Sequence, residues 1–269
     1  MQEILSLTFM QNAFLGGILV SIACGIVGSL VVINKMTFIA GGISHGAYGG
    51  IGIAFFCGFM PIIGASFFAV ILALAVACMS LKDKERFDSI IGAIWAFGMA
   101  LGIILIDLTP GYNVDLMGYL FGSILTIDKS TLIFISLVNL IILFFVICFY
   151  RQFCAISFDI EFAKLRGVNT TFFYYILVAL MALCVVATIQ VVGLILVIAL
   201  MTIPPYIAEN FSKKLGQMMI ISAIISSLFC ILGLIISYKF NLTSGASIIM
   251  VASAIFFLVA IIKNYIKFN

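Results

Sequence analysis

Residues 13–34 read AFLGGILVSIACGIVGSLVVIN, a stretch without a charged side chain that ends at Lys35. A helix crossing the hydrocarbon core needs roughly 20 apolar residues, and this run supplies them. A soluble fold could bury such a helix only if the rest of the chain covered it with polar surface. Of the 269 residues, 65% are hydrophobic and 9% are charged, whereas soluble domains carry about 25% charge. The mean hydropathy is +1.37. The apolar solvent this composition requires is a bilayer, and the chain reads as a polytopic membrane protein.

Backbone in lipid must satisfy its own hydrogen bonds, which leaves helices or a closed barrel. Barrel strands alternate apolar and polar over about ten residues. The runs here are continuous and about twice as long, so the fold class is all-α. Breaks at charges, Pro and Gly delimit about nine segments on the span-length criterion. They lie near residues 13–34, 37–59, 62–81, 89–108, 131–150, 171–189, 191–207, 217–238 and 245–262. The 191–207 segment is short and ends at Pro204-Pro205, so it is expected to be broken or only partly spanning. Met117-Gly118-Tyr119-Leu120-Phe121-Gly122 is apolar but too short to cross, as a re-entrant or interfacial helix would be.

Lys and Arg are retained on the cytoplasmic side. With the amino terminus outside and every segment crossing, Lys35, Lys82, Lys84, Arg86, Arg151, Lys164, Arg166, Lys213, Lys214, Lys263 and Lys267 fall inside. Lys129 and Lys239 fall outside. The carboxy terminus is then expected in the cytoplasm. The outer loops hold Asp107, Asp115 and Asp128, a mildly acidic face suited to a cation or a basic docking partner, or simply solvated loop charge. The net charge of +3 makes no case for nucleic acid. Met1-Gln2-Glu3-Ile4 lacks a basic n-region, so the first span is expected to stay in place. The cysteines are scattered without a CxxC or Cys/His cluster, which argues against a disulfide framework or a structural zinc site.

The only histidine, His45, lies near the middle of the predicted 37–59 span, in Gly41-Gly42-Ile43-Ser44-His45-Gly46-Ala47-Tyr48-Gly49-Gly50. Ionisable groups at that depth usually face a cavity or a pathway. Neutral imidazole is also the commonest ligand for transition metals. Gly42, Gly46 and Gly50 repeat every four residues and make a strip for close helix approach. Gly41 and Gly49 flank His45 one turn to either side and are expected to clear room around the ring. The competing reading is a histidine hydrogen-bonded across a tight helix pair. A transport site usually has three or more ligands. Cys24, at similar depth in the first span, and Gln190, at an external junction, are the other candidates. A symmetric dimer would bring a second His45.

The cytoplasmic stretch from Ser157 to Gly167 reads as a capped amphipathic helix. Asp159 can cap it, Glu161 suits its positive end, Lys164 and Arg166 its negative end, and Gly167 can end it. Phe158, Phe162 and Leu165 fall at helical spacing. Such a helix suits docking on a soluble partner, or lying at the lipid headgroups. No GxxxxGK[ST] phosphate loop, HExxH or Ser/His/Asp set occurs. The chain is thus expected not to be an enzyme, and any nucleotide would bind another chain.

Taken together, four stretches resemble the permease subunits of bacterial ABC importers for zinc, manganese and iron. They are Cys24-Gly25-Ile26-Val27-Gly28 with Lys35-Met36-Thr37-Phe38 and Ser44-His45; Gly92 to Gly102 leading into Tyr119 to Leu125; Phe158-Asp159 with Phe162-Ala163 and Gly167; and Val192-Gly193 to Leu200, Ile203-Pro204, Ala208, Ser237-Tyr238 and Ser244-Gly245-Ala246. The resemblance implies a metal-permease fold of about eight to nine transmembrane helices, one permease domain over residues 1–269 with an ATPase-coupling segment near 152–169. It implies a homodimer in the inner membrane, two ATPase subunits that bind ATP, and an external solute-binding protein. The coupling residues would be Asp159, Glu161, Phe162, Ala163, Lys164 and Gly167, and no permanent cofactor is implied. The metal position carried over is His45. The family commonly has an Asp one turn earlier, where this chain has Gly41, a departure that tilts the site from manganese towards zinc. Permeases for metal chelates (cobalamin or a ferric siderophore) are the nearest alternative. An ion-gradient-driven transporter acting alone is the alternative from another class.

Overall fold

The computed structural model describes residues 8–82, 87–109, 122, 124 and 127–268. All regular structure among them is helical: α1 (Thr8–Ile33), α2 (Thr37–Cys57), α3 (Pro61–Lys82), α4 (Phe87–Asp107), α5 (Lys129–Cys148), α6 (Tyr150–Phe158), α7 (Ile160–Leu165), α8 (Thr170–Glu209), α9 (Leu215–Phe240) and α10 (Ser244–Phe268). Among the described residues, 8 stretches are long and apolar enough to cross a membrane, and α8 supplies two of them, Thr170–Ile189 and Val191–Glu209. The segment expected to be weak therefore qualifies. The one that does not is α2, because His45 and its many glycines dilute its apolarity. By length α2 still suffices, since 21 residues at the helical rise span about 31 Å. Met117 to Phe121, with Ser123 and Leu125, lie outside the described residues, as do Lys84, Arg86 and Asp115.

The chain divides into two compact units. The first comprises Met1–Val32, Met117–Asn139 and Thr188–Asn269. Its centre is α1, whose hydroxyls return to their own helix: Ser21 Oγ donates to the Gly17 carbonyl at 2.7 Å and Ser29 Oγ to that of Gly25 at 2.6 Å. Without water, this is how a helix keeps its polar side chains satisfied. A methyl added at Gly25 would lie 2.5 Å from the Ala223 amide nitrogen of α9. One added at Gly28 would lie 2.6 Å from the Met201 carbonyl oxygen of α8. That carbonyl is the one Pro205 leaves without its helical donor. Helix α8 continues through Pro204 and Pro205 to Glu209 instead of ending at them, with α1 backbone laid close against the gap.

The break in α8 falls instead at Gly193, where φ is 77° and ψ 170°, a conformation open to glycine. Gly122, itself at φ 68°, abuts Val192 and Gly193 so closely that no side chain fits. Ile124 and Ile127 are buried beside it, and the Ile127 carbonyl accepts from Asn12 Nδ2 at 3.2 Å.

The second unit comprises Ile33–Leu116 and Leu140–Ala187. Here α2 packs on both α3 and α4 through bare backbone. Gly50 and Gly64 oppose each other so that a methyl on either meets the other's carbonyl. A methyl on Gly98 would lie 2.5 Å from Gly46 Cα, and one on Gly52 would lie 2.5 Å from the Gly102 carbonyl oxygen. Helix α2 ends where Gly58 turns left-handed at φ 75° and Phe59 N–H reaches back to the Ala54 carbonyl, a glycine stop. Pro61 then opens α3 at a position where its missing N–H costs nothing.

Two outcomes follow. Gly98→Ala presses a methyl on immovable backbone, while Gly16→Ala meets only the Ile127 Cδ1 tip. Gly98→Ala is expected to lower stability by about 1–3 kcal/mol and Gly16→Ala by far less, read as melting temperatures of the purified protein. At the start of α5, Asp128 accepts from the Thr131 amide at 2.9 Å and from Ser130 Oγ at 2.7 Å. The bonds from Thr131 and then Ser130 hold its carboxyl down to about 2. Because the folded value lies below the ordinary one, this cap stabilises above about pH 4 and is lost as pH falls towards 2. Asp128→Ala is expected to cost about 0.5–1 kcal/mol at neutral pH, with the gap to wild type closing over that acid window.

Candidate functional site

From Ile39 to Gly52 every residue of α2 is buried except His45, which is half-buried. Its ring stacks on Trp95 of α4, with centroids 4.0 Å apart and planes inclined by 10°. Nδ1 is buried and has no hydrogen-bond partner among the described residues. A buried nitrogen left bare costs about 1–3 kcal/mol. The histidine is therefore not spent on bridging a helix pair within its own unit. Trp95 fixes the plane of the ring, and the residue as a whole stays partly accessible.

The glycines serve the packing. Gly42 lies under Ile91, Gly46 under Leu72 and the α4 backbone, and Gly50 under Gly64 and Phe68. Gly49 differs from expectation. The space above it is filled, with Phe68 Cε1 2.8 Å and the Gly98 carbonyl 3.0 Å from a methyl placed there, so it admits α3 and α4 instead of clearing room for imidazole. Gly41 is buried within α2.

The other two ligand candidates lie in the first unit. Cys24 is fully buried in α1 with its Sγ 3.6 Å from Thr188 Oγ1. Gln190 is helical in α8, and its side chain lies outside the described residues. Among the described residues no three His, Cys, Asp or Glu side chains gather as a metal cluster. Among the described residues of one chain His45 accordingly stands outside any such cluster.

The coupling stretch forms two helices where the sequence read one. Asp159 takes an extended conformation, φ −154° and ψ 102°, which ends α6, and its Oδ1 accepts the Phe162 amide at 2.9 Å, which starts α7. The same cap that begins one helix thus separates Phe158 from Phe162 and Leu165. Gly167, at φ 78°, lets Val168 N–H return to the Ala163 carbonyl, and Ala163 is buried beneath. Phe158, Ile160, Phe162 and Leu165 remain exposed, Leu165 at 88%. The Arg166 guanidinium lies 5.0 Å over the Phe162 ring. Glu161 and Lys164 are exposed. The result is a short capped knob with an exposed apolar crown and charges of both signs.

Sequence reasoning did not pair Trp95 with His45, although Trp95 is the only tryptophan in the chain. The available signal was that α2 and α4 are both rich in glycine, as two helices that approach closely are.

The described residues thus hold helices long and apolar enough to cross a membrane, a half-buried histidine in α2 and an exposed, capped α6–α7 knob. Residues 6–263 match the ABC 3 transport family, and the chain belongs to it. An uncharacterized membrane protein of Synechocystis sp. is 47% identical over 253 residues, covering 94% of this chain and 90% of that one. The manganese transport system membrane protein MntC of Listeria monocytogenes is 33% identical over 258 residues, covering 96% and 92%. Among solved structures, PsaBC from Streptococcus pneumoniae in complex with Fab superposes with a TM-score of 0.86 at 31% identity, covering 96% of this chain and 93% of that one.

The Asp159 cap makes a local prediction. Asp159→Ala removes the acceptor that starts α7 and is expected to speed trypsin cleavage after Lys164 and Arg166, while Asp159→Asn, which still caps, cleaves as wild type does.

Proposed function

We propose that this chain is the membrane permease of an ATP-driven importer that carries a divalent transition-metal ion into the cytoplasm, with zinc favoured. The observation that carries the reading is His45, the one accessible residue in an otherwise buried stretch of α2, its ring braced on Trp95 and its Nδ1 unpartnered. A nitrogen donor without a neighbouring carboxylate, with Gly41 one turn earlier, favours a borderline-soft ion over a hard one. Manganese is the second reading, favoured by the relatives that bear the name of manganese transport proteins.

In this mechanism two copies of the chain line one path, and each offers a His45, so that a pair of imidazoles replaces the ligand set a single chain lacks. An external binding protein delivers the ion. ATP hydrolysis takes place on two separate subunits, whose closure is passed to the bundle through the α6–α7 elbow around Asp159. The α7 crown, with Phe162 and Leu165, is the part pressed into the ATPase. Alternating access then releases the ion inward. The whole chain acts as one permease domain of the inner membrane, with its carboxy terminus in the cytoplasm. Cys24 and Gln190 are secondary ligand candidates.

The deciding experiment measures cellular zinc, manganese and iron in cells lacking the chain, complemented with wild type or His45→Ala. The expected result is loss of one metal, restored by wild type and reduced at least tenfold in uptake rate by the alanine variant. Full rescue by His45→Ala would make His45 a packing residue. Because neutral imidazole binds metal and imidazolium does not, uptake into reconstituted vesicles is expected to weaken at acid pH. A flat profile removes His45 from the path.

A further inference from the structure

At the end of the second unit that carries the α7 elbow lies a cavity of about 300 Å³, lined by Asn34, Lys35, Met36, Ile39, Ser80, Ile156, Ile160, Lys164, Thr170, Thr171 and Tyr174. Its lining combines two kinds of residue. Met36, Ile39, Ile156 and Ile160 are apolar. Lys35, Lys164, Thr170 and Thr171 supply ammonium groups and hydroxyls, and no carboxylate is among the lining residues. The hydroxyls of Ser80 and Tyr174 are joined at 2.8 Å, and the Ser80 hydroxyl also donates to the Ala77 carbonyl. Asn34 Nδ2 donates to Ser157 Oγ at 2.9 Å, which ties the first residues of the cavity to α6. The remaining cationic donors, on Lys35 and Lys164, are left to an anion.

The backbone adds a second observation. Lys35 sits at φ 56°, in the left-handed region that a side chain disfavours and where glycine would be at ease. A lysine is kept there at a conformational cost, and the residue is exposed and lines the cavity. Neither the proposed ion path nor the cap of α7 uses it.

We propose that this cavity binds the phosphate of an anionic phospholipid from the adjoining leaflet, held by Lys35 and Lys164 with Thr170 and Thr171, while Met36, Ile39, Ile156 and Ile160 take the glycerol and first acyl carbons. The apolar lining distinguishes lipid from free phosphate, which would gain nothing from it. Basic pockets between helices near a membrane surface are suited to such headgroups. Lys164 belongs to α7, so an occupied cavity ties the elbow to α2 and α8 through the bound lipid.

The test uses the full chain in neutral detergent, titrated with phosphatidylglycerol, phosphatidylcholine or inorganic phosphate, and reads binding and melting temperature. Phosphatidylglycerol is expected to bind and raise the melting temperature, with phosphatidylcholine and inorganic phosphate much weaker. Lys35→Gly and Lys164→Gln should each weaken phosphatidylglycerol about fivefold, and together roughly thirtyfold, the loss expected for one and two surface cations. Lys35→Gly is suited to its backbone conformation, so its lipid-free melting temperature should hold or rise. Lys213→Gln removes the same charge from the first unit and should leave lipid binding unchanged. Equal weakening by Lys213→Gln, no preference over phosphatidylcholine, or inorganic phosphate matching the lipid would each overturn the assignment. So would lysine variants that lose ATPase subunits while keeping wild-type lipid binding.

Discussion

Backbone meeting backbone is the interaction on which the second unit depends. In lipid the hydrophobic effect does not drive helices together, because the solvent is as apolar as the side chains. What remains is dispersion, which is worth something only at close range. Gly46 against Gly98, Gly50 against Gly64 and Gly52 against Gly102 bring α2 near enough to α3 and α4 for that attraction to hold the three together. The first unit applies the same device at Gly25 and Gly28, where α1 lies against the α9 backbone and the proline gap of α8.

Close packing also governs the chemistry. A helix gripped through its backbone on two sides cannot rotate, so the side chains it carries have a fixed bearing. His45 inherits that bearing, and Trp95 sets the plane of its ring. An ion in transit needs a donor that is placed but not enclosed, since a full cage would hold it too well. In the proposed function a single imidazole per chain would be a loose hold, and two across a symmetric pair a firmer one. The α6–α7 elbow is stiff for a different reason. Asp159 closes one helix and opens the next with a single side chain, so force applied to the exposed crown is not absorbed by a fraying end.

Much of this was legible in the sequence because composition and period carry it. Continuous apolar runs gave the helices, the Ser157–Gly167 stretch gave the cap at Asp159 and the stop at Gly167, and the four-residue glycine interval gave the packing strip. The failures share a cause, which is that a neighbour decides the outcome. Pro204-Pro205 reads as a terminus until α1 backbone is seen against the Met201 carbonyl. Gly49 reads as open space until Phe68 is seen to fill it. The break at Gly193 is invisible without Gly122 beside it. Trp95 carries no mark that its partner is a histidine in another helix.

Helix α2 is the long helix that its own apolarity does not qualify as a span, and this bears on how the protein is made. Insertion machinery partitions each emerging helix into lipid according to its transfer free energy, and a histidine with a run of glycines near the centre lowers that drive. What keeps α2 in place is packing that does not exist until α3 and α4 have been synthesised. It must then wait beside the exit channel, or enter with them as one body, so that order of translation becomes part of the fold. The histidine that sets α2 apart is in this way also what makes its helix a passenger of its neighbours.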